Sequence, residues 1–166
     1  MIKKYIISFL IFILSSIILI SSSNPSSNSL VFPIHSEYRI SSAYVYRLLG
    51  SNHFHNGIDI PASVGTPVYA ISSGVISQIG FSSSYGNYII ISYLSGYKTL
   101  YAHMSDNFPF SIGNNVCSSD IVAYVGPKYL SNGKLNGFTT GPHLHFTIYN
   151  NGKVIDPTTV KFEYKK

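Results

Sequence analysis

From about residue 38 onward the chain alternates short apolar runs with clusters of turn residues. The runs in "ASVGTPVYAISSGVISQIG", "YGNYIIISYLSGYKTLYAHM", "DIVAYVG" and "HLHFTIYNNGKVID" are each a few residues long, rich in Ile, Val and Tyr, and bounded by Gly, Ser, Asn or Asp. Branched and aromatic residues in short, turn-punctuated runs predict strands. "YNNGK" puts Asn151 and Gly152 where a tight hairpin needs positive φ. "YLSGYK" predicts a second hairpin, joining a strand near Tyr88 to Tyr93 to one near Tyr97 to His103. Acids, lysines and alanines are too sparse for long surface helices, so the expected class is all-β, built from antiparallel hairpins.

The start of the chain breaks this pattern. Lys3 and Lys4 precede an apolar run from Tyr5 to Ile20, and a field of serines follows. Basic residues, an apolar stretch and small polar residues in that order predict a secretory signal peptide over 1–25, or an N-terminal anchor if it stays uncleaved. The run is short for a membrane span of about 20 residues, and no cysteine follows it to carry lipid. A flexible, Ser-rich linker is expected over 26–37, a folded domain over 38–160 and a frayed tail over 161–166.

Loss of Lys3 and Lys4 with the leader lowers the formal charge from +5 to +3. The remaining positive residues are scattered, with no basic run and no recognition helix, so nucleic acid is not an expected partner. Membrane contact is expected only through an uncleaved leader, and the folded part is expected to be a monomer. Cys117, the sole cysteine, excludes an internal disulfide and reads as a small packing residue.

Candidate chemistry lies in three places. In "HLHF" a strand puts His143 and His145 on one face, with Leu144, Phe146 and Ile148 on the buried one. In "HNGIDIP" Gly57 and Pro61 argue against a helix, and an extended chain sets His55 and Asp59 on one side with nothing at Gly57 to crowd them. In "KTLYAHM" the alternation of Thr99, Tyr101 and His103 with Leu100 and Ala102 puts His103 at a strand end on the polar face. Any one of these histidines has an ordinary structural reading, and His35 and His53 keep it, although His53 is close enough in sequence to His55 to line the same cleft. Together the two clusters offer two imidazoles and a carboxylate, with two more imidazoles nearby. Three such ligands suit a catalytic zinc with one position left for water.

"FHNGIDIPASVGTPVYAISSGVISQIG", "YGNYIIISY", "TLYAHM" and "TGPHLHF" resemble, in order and spacing, the lysostaphin or LytM type of zinc peptidase, over Ile40 to about Pro157. The resemblance implies an antiparallel β barrel-sandwich hybrid (the duplicated hybrid motif) with a groove over the metal, making 38–160 a zinc metallopeptidase domain. It implies His55, Asp59 and His145 as zinc ligands, and His143 and His103 as the pair that moves the water proton and steadies the oxyanion. The implied activity is exported endopeptidase cleavage of peptide bonds in peptidoglycan, in the periplasm, cell envelope or outside. An inactive relative that binds wall or activates another hydrolase is the alternative, against which all five residues are present. Three departures stand out: Val45 and Asp120 where the family usually has glycine, and a longer connection through Lys128 to Phe138 that is expected to extend over one groove wall.

Overall fold

A computed structural model describes residues 30–164 other than 36, 50 and 95; the side chains of 47–53 lie outside this description. The signal or anchor at 1–25 also lies outside the described residues. In chain order the strands are β1 (Leu30–Val31), β2 (Tyr46–Leu49), β3 (Ser51–Phe54), β4 (Ile58–Pro61), β5 (Pro67–Tyr69), β6 (Gly74–Ser82), β7 (Gly86–Ser92), β8 (Tyr97–Ala102), β9 (Asn115–Val116), β10 (Ile121–Tyr124), β11 (His143–Asn150), β12 (Lys153–Ile155) and β13 (Phe162–Glu163). A 3-10 turn at Pro157–Thr159 precedes β13. The all-β expectation holds.

The main sheet runs β12-β11-β8-β7-β6-β9, with β4 also paired to β11, and each of these pairs is antiparallel. Strands β5 and β10 form a second antiparallel pair. The core joins the two: Ile76, Ile89, Tyr101, Leu144 and Phe146 of the main sheet share one buried cluster with Val68 and Val122 of the pair. This is the sandwich arrangement that short alternating strands imply. Each fully buried Ile, Leu or Phe contributes roughly 1.5–3 kcal/mol through removal of apolar surface from water. Both expected hairpins form. The β11–β12 turn uses Asn151 and Gly152 at φ 49° and 79°, and β7 and β8 flank "YLSGYK".

The ends of the fold differ from the expected linker and tail. Leu30–Val31 pairs in parallel with Phe162–Glu163, and Val31, Phe32 and Ile34 are buried. Phe32 stacks on Tyr38 at 4.1 Å and meets the edge of Phe162 at 5.4 Å. "LVFPI" directly follows the serines, and its apolar content outweighs their polarity once Phe162 offers a partner.

Candidate metal centre

Four imidazoles and one carboxylate converge on the face of β11 turned away from the core. Strands β4 and β11 pair with Asp59 opposite His145 and Pro61 opposite His143. Alternation then sets His143, His145 and Thr147 in one row while Leu144, Phe146 and Ile148 enter the core. His55 reaches the same place from the turn between β3 and β4. Gly57 lies against β11 there: a Cβ would sit 2.4 Å from the Phe146 carbonyl oxygen and 2.8 Å from Thr147 Oγ1. Glycine is required by this close approach of two backbones.

His55 Nε2 is 3.1 Å from Asp59 Oδ1 and 3.0 Å from His145 Nδ1, and His145 Nδ1 is 2.9 Å from Asp59 Oδ1. One ligand atom from each of the three lies within 4.8 Å of the others, a set that can hold a metal ion. The opposite ring nitrogens are tied down. His55 Nδ1 donates to the Ala43 carbonyl at 2.7 Å. A carbonyl only accepts, so Nδ1 carries a proton and Nε2 is the nitrogen turned inward. His145 Nε2 lies 3.0 Å from Thr147 Oγ1. His55 Nε2, His145 Nδ1 and Asp59 Oδ1 are thus the atoms that face one another. Once both nitrogens are deprotonated such a set suits a cation, and outer hydrogen bonds of this kind orient metal ligands. Burial works to raise the Asp59 pKa, but hydrogen bonds and charge from His145 and His55 overcome it and hold the carboxyl well below its usual range. Burial pushes His145 down, toward the neutral form a metal needs. Two nitrogens and one oxygen, with no sulfur, match an open zinc site.

The other two imidazoles stand beside this triangle. His143 Nδ1 donates to the Gly141 carbonyl at 2.8 Å, and its Nε2 is 3.6 Å from Asp59 Oδ1. His103 Nδ1 donates to the Asn136 carbonyl at 2.7 Å. Their ring centroids are 4.5 Å apart. Burial, reinforced by the nearby His143, lowers the His103 pKa to about 4. The ring is therefore neutral near pH 7 and carries its lone pair on Nε2.

His103 does not arrive there by strand alternation. The register pairs Phe146 with Tyr101 and Ile148 with Thr99, which puts Thr99 and Tyr101 on the core face. Their hydroxyls are satisfied inside, Tyr93 Oη lying 2.8 Å from Thr99 Oγ1 and 3.3 Å from Tyr101 Oη. Continued alternation would point His103 into the core. Instead β8 ends at Ala102, and His103 adopts φ 61°. That left-handed backbone turns the ring to the other side of the sheet, and it is held by His103 N–H to Tyr85 O at 2.8 Å and Gly126 N–H to His103 O at 2.9 Å.

Asn136 was not visible from sequence reasoning, because its contribution is a backbone carbonyl. Its side chain is fully buried and used at both ends: Oδ1 accepts from Asn87 N–H, and Nδ2 donates to the Met104 and Pro127 carbonyls. Thr147 was within reach, since H-x-H-x-T on a strand is a single row. The Lys128 to Phe138 connection closes as a small finger, with Tyr129 bridged to Leu135 and Phe138 N–H donating to Ser84 O at 2.9 Å. Phe138, 80 % exposed, stands with Phe54, Asn56 and Tyr85 around a groove of about 560 Å³ above the histidines. His35 stacks on Tyr69 at 3.6 Å and does not line this groove, and the His53 side chain lies outside the described residues. Cys117 is exposed rather than packed; its N–H donates to Asp120 Oδ2 at 2.7 Å, so Asp120 closes that turn with its side chain.

An antiparallel β groove floored by two histidines and an aspartate, with two further imidazoles beside them, defines a β-fold metallopeptidase type of site. The sequence profile of Peptidase family M23 matches residues 53–157, and the chain belongs to that family. It is 39% identical over 125 residues to the DD-carboxypeptidase/endopeptidase Mpg of Neisseria meningitidis, covering 74% of this chain and 27% of that protein. Over 127 residues it is 32% identical to the peptidoglycan DD-endopeptidase ShyC of Vibrio cholerae, covering 74% and 27%. The chain thus spans little more than a quarter of the length of these curated relatives. Among solved structures, the catalytic domain of lysostaphin from Staphylococcus simulans superposes with a TM-score of 0.62 at 31% identity, over 74% of this chain and 90% of that one. A zinc-containing peptidase from Vibrio cholerae gives 0.69 at 26%, over 81% and 41%.

Proposed function

We propose that this chain is an exported zinc endopeptidase that hydrolyses peptide bonds in the stem peptides or cross-bridges of peptidoglycan. The observation that carries the reading is the inward convergence of His55 Nε2, Asp59 Oδ1 and His145 Nδ1, each imidazole anchored from behind, directly beside His143 and His103. Bound zinc would supply an electrophile for the scissile carbonyl and acidify a water. His143 and His103 both donate from Nδ1 to a backbone carbonyl, which leaves Nε2 of each ring as the nitrogen that, when unprotonated, can accept a proton from that water and then donate to the leaving amine or the oxyanion. Peptidoglycan as substrate is supported by the relative ShyC, a peptidoglycan DD-endopeptidase, and export by the Lys3, Lys4 and Tyr5 to Ile20 pattern. Among the described residues no helix is long and apolar enough to cross a membrane.

The purified protein is expected to hold about one zinc per chain, and His145→Ala to lose most of it; equally negligible metal in both proteins would remove the zinc reading. His143→Ala is expected to keep the metal yet release little peptide from purified sacculi. Release at the wild-type rate would take His143 out of the reaction.

A further inference from the structure

Two cavities meet at Asp59 and His143. The groove of about 560 Å³ opens on one side, and a hollow of about 270 Å³, walled by Arg39, Ser41, Thr140, Gly141 and Pro142, opens on the other. A bond presented to His143 therefore has one flank in each. The flanks differ in chemistry. The first is walled by Phe54, Tyr85 and Phe138. The second is lined by Arg39, whose guanidinium is always charged and makes no ion pair among the described residues. Asp59, the acid on that hollow, is already engaged by His55 and His145.

Arg39 is also held in register with the centre. Ser41 N–H donates to Asp59 O and Asp59 N–H to Ser42 O, both at 2.9 Å, while the Ala43 carbonyl holds His55. The segment from Ser41 to Ala43 thus rides on β4 as a short edge, and Arg39 lies two residues before it. On the facing wall an added Cβ at Gly141 would meet nothing within 4 Å, so the hollow is open there.

We propose that the Arg39 hollow binds a free carboxylate on the substrate residue that donates the amine of the cleaved bond. This rests on the peptidase reading above. Because both cavities share Asp59 and His143, the carboxylate must lie within a bond or two of the cleaved nitrogen. Two sources present it there: a cross-link through a diamino acid whose side chain ends in its own amino-carboxylate centre, and a stem peptide ending in a free C-terminal residue. In both, the carboxylate sits on the carbon bonded to that nitrogen. A glycine bridge has no such group beside its internal bonds.

The full chain, loaded with zinc, is assayed on cross-linked peptide dimers and on a linear pentapeptide, each made with that carboxylate free or as its carboxamide. For at least one of the two scaffolds the wild type is expected to prefer the carboxylate form by about 10- to 100-fold in kcat/KM, the range of a charge-assisted hydrogen bond, with the difference mostly in KM. The scaffold that shows the preference identifies the source. Arg39→Gln is expected to abolish the preference by losing rate on the carboxylate form while still cleaving the carboxamide form, which reports that it folds. Arg39→Lys should restore part of it. Equal cleavage of the two forms by the wild type, or a preference that survives in Arg39→Gln, overturns the proposal. Cleavage of neither form on either scaffold overturns the proposal, and release of no peptide from purified sacculi overturns the peptidase reading with it.

Discussion

His103 reaches the centre by leaving its strand, and Asn136 is what receives it. A histidine tolerates a left-handed backbone better than most residues, and φ 61° converts a core-facing position into a groove-facing one. The Asn136 carbonyl then sets the proton on Nδ1. Asn136→Ala removes three side-chain hydrogen bonds, one buried and two partly buried, and leaves Asn87 N–H without its acceptor. The expected cost is about 2 to 3 kcal/mol in urea unfolding, with zinc content retained and peptide release from sacculi lowered. Stability within about 0.5 kcal/mol of wild type would show that the hub is dispensable. The His143 and His145 row was legible because a strand's side chains repeat with period two; the rotation of His103 was not, because a single φ angle carries it.

Between elements, the centre depends on how closely the His55 turn and β4 lie on β11. Asp59 stands opposite His145 through the register of those two strands, and Gly57 lets the His55 turn come down onto the same strand. Gly57→Ala places a methyl against the Phe146 carbonyl, a backbone atom with no room to move away. The turn must lift, at about 1 to 3 kcal/mol, and His55 Nε2 withdraws from the other two ligand atoms. Zinc affinity should fall at least tenfold, by competition with a chelator, while the β-sheet circular dichroism stays the same. An unchanged affinity would mean that the turn is not the element that sets the ligand distances. "HNGID" already carries the need for a residue without a side chain. What Gly57 avoids is a carbonyl on β11, nearly ninety positions away in the chain, which no local pattern contains.

At the scale of the molecule, two buried imidazoles, those of His103 and His145, make stability depend on pH. The His103 pKa is about 4 in the folded state against an ordinary value of 6.5, and that of His145 is also lowered, both chiefly by burial. Between pH 6.5 and 4 the unfolded chain takes up protons that the folded chain refuses, so stability falls as pH falls through that window and is regained above it. His103 accounts for about 3 kcal/mol at most, from the difference between the two values. The Tm of the metal-stripped protein should drop steadily from pH 7 to pH 4.5, and His103→Gln should flatten the slope. A Tm that stays level over this range in the wild type would contradict the buried neutral state of these rings. Zinc should steepen the fall, because protons compete for the same lone pairs.

The local alphabet of the chain determined the strands, the two hairpins, and the fact that His55, Asp59, His143 and His145 face away from apolar neighbours, since each depends on backbone period and turn chemistry within a few residues. The tertiary structure alone decided three further things. Residues from Leu30 onward join the core through Phe162. The Asn136 carbonyl captures His103. A second, cationic hollow at Arg39 backs onto the metal centre. Each of these is a meeting of segments distant in sequence, and its energy comes from burial and hydrogen bonds across that distance, which a pattern of neighbouring residues does not encode.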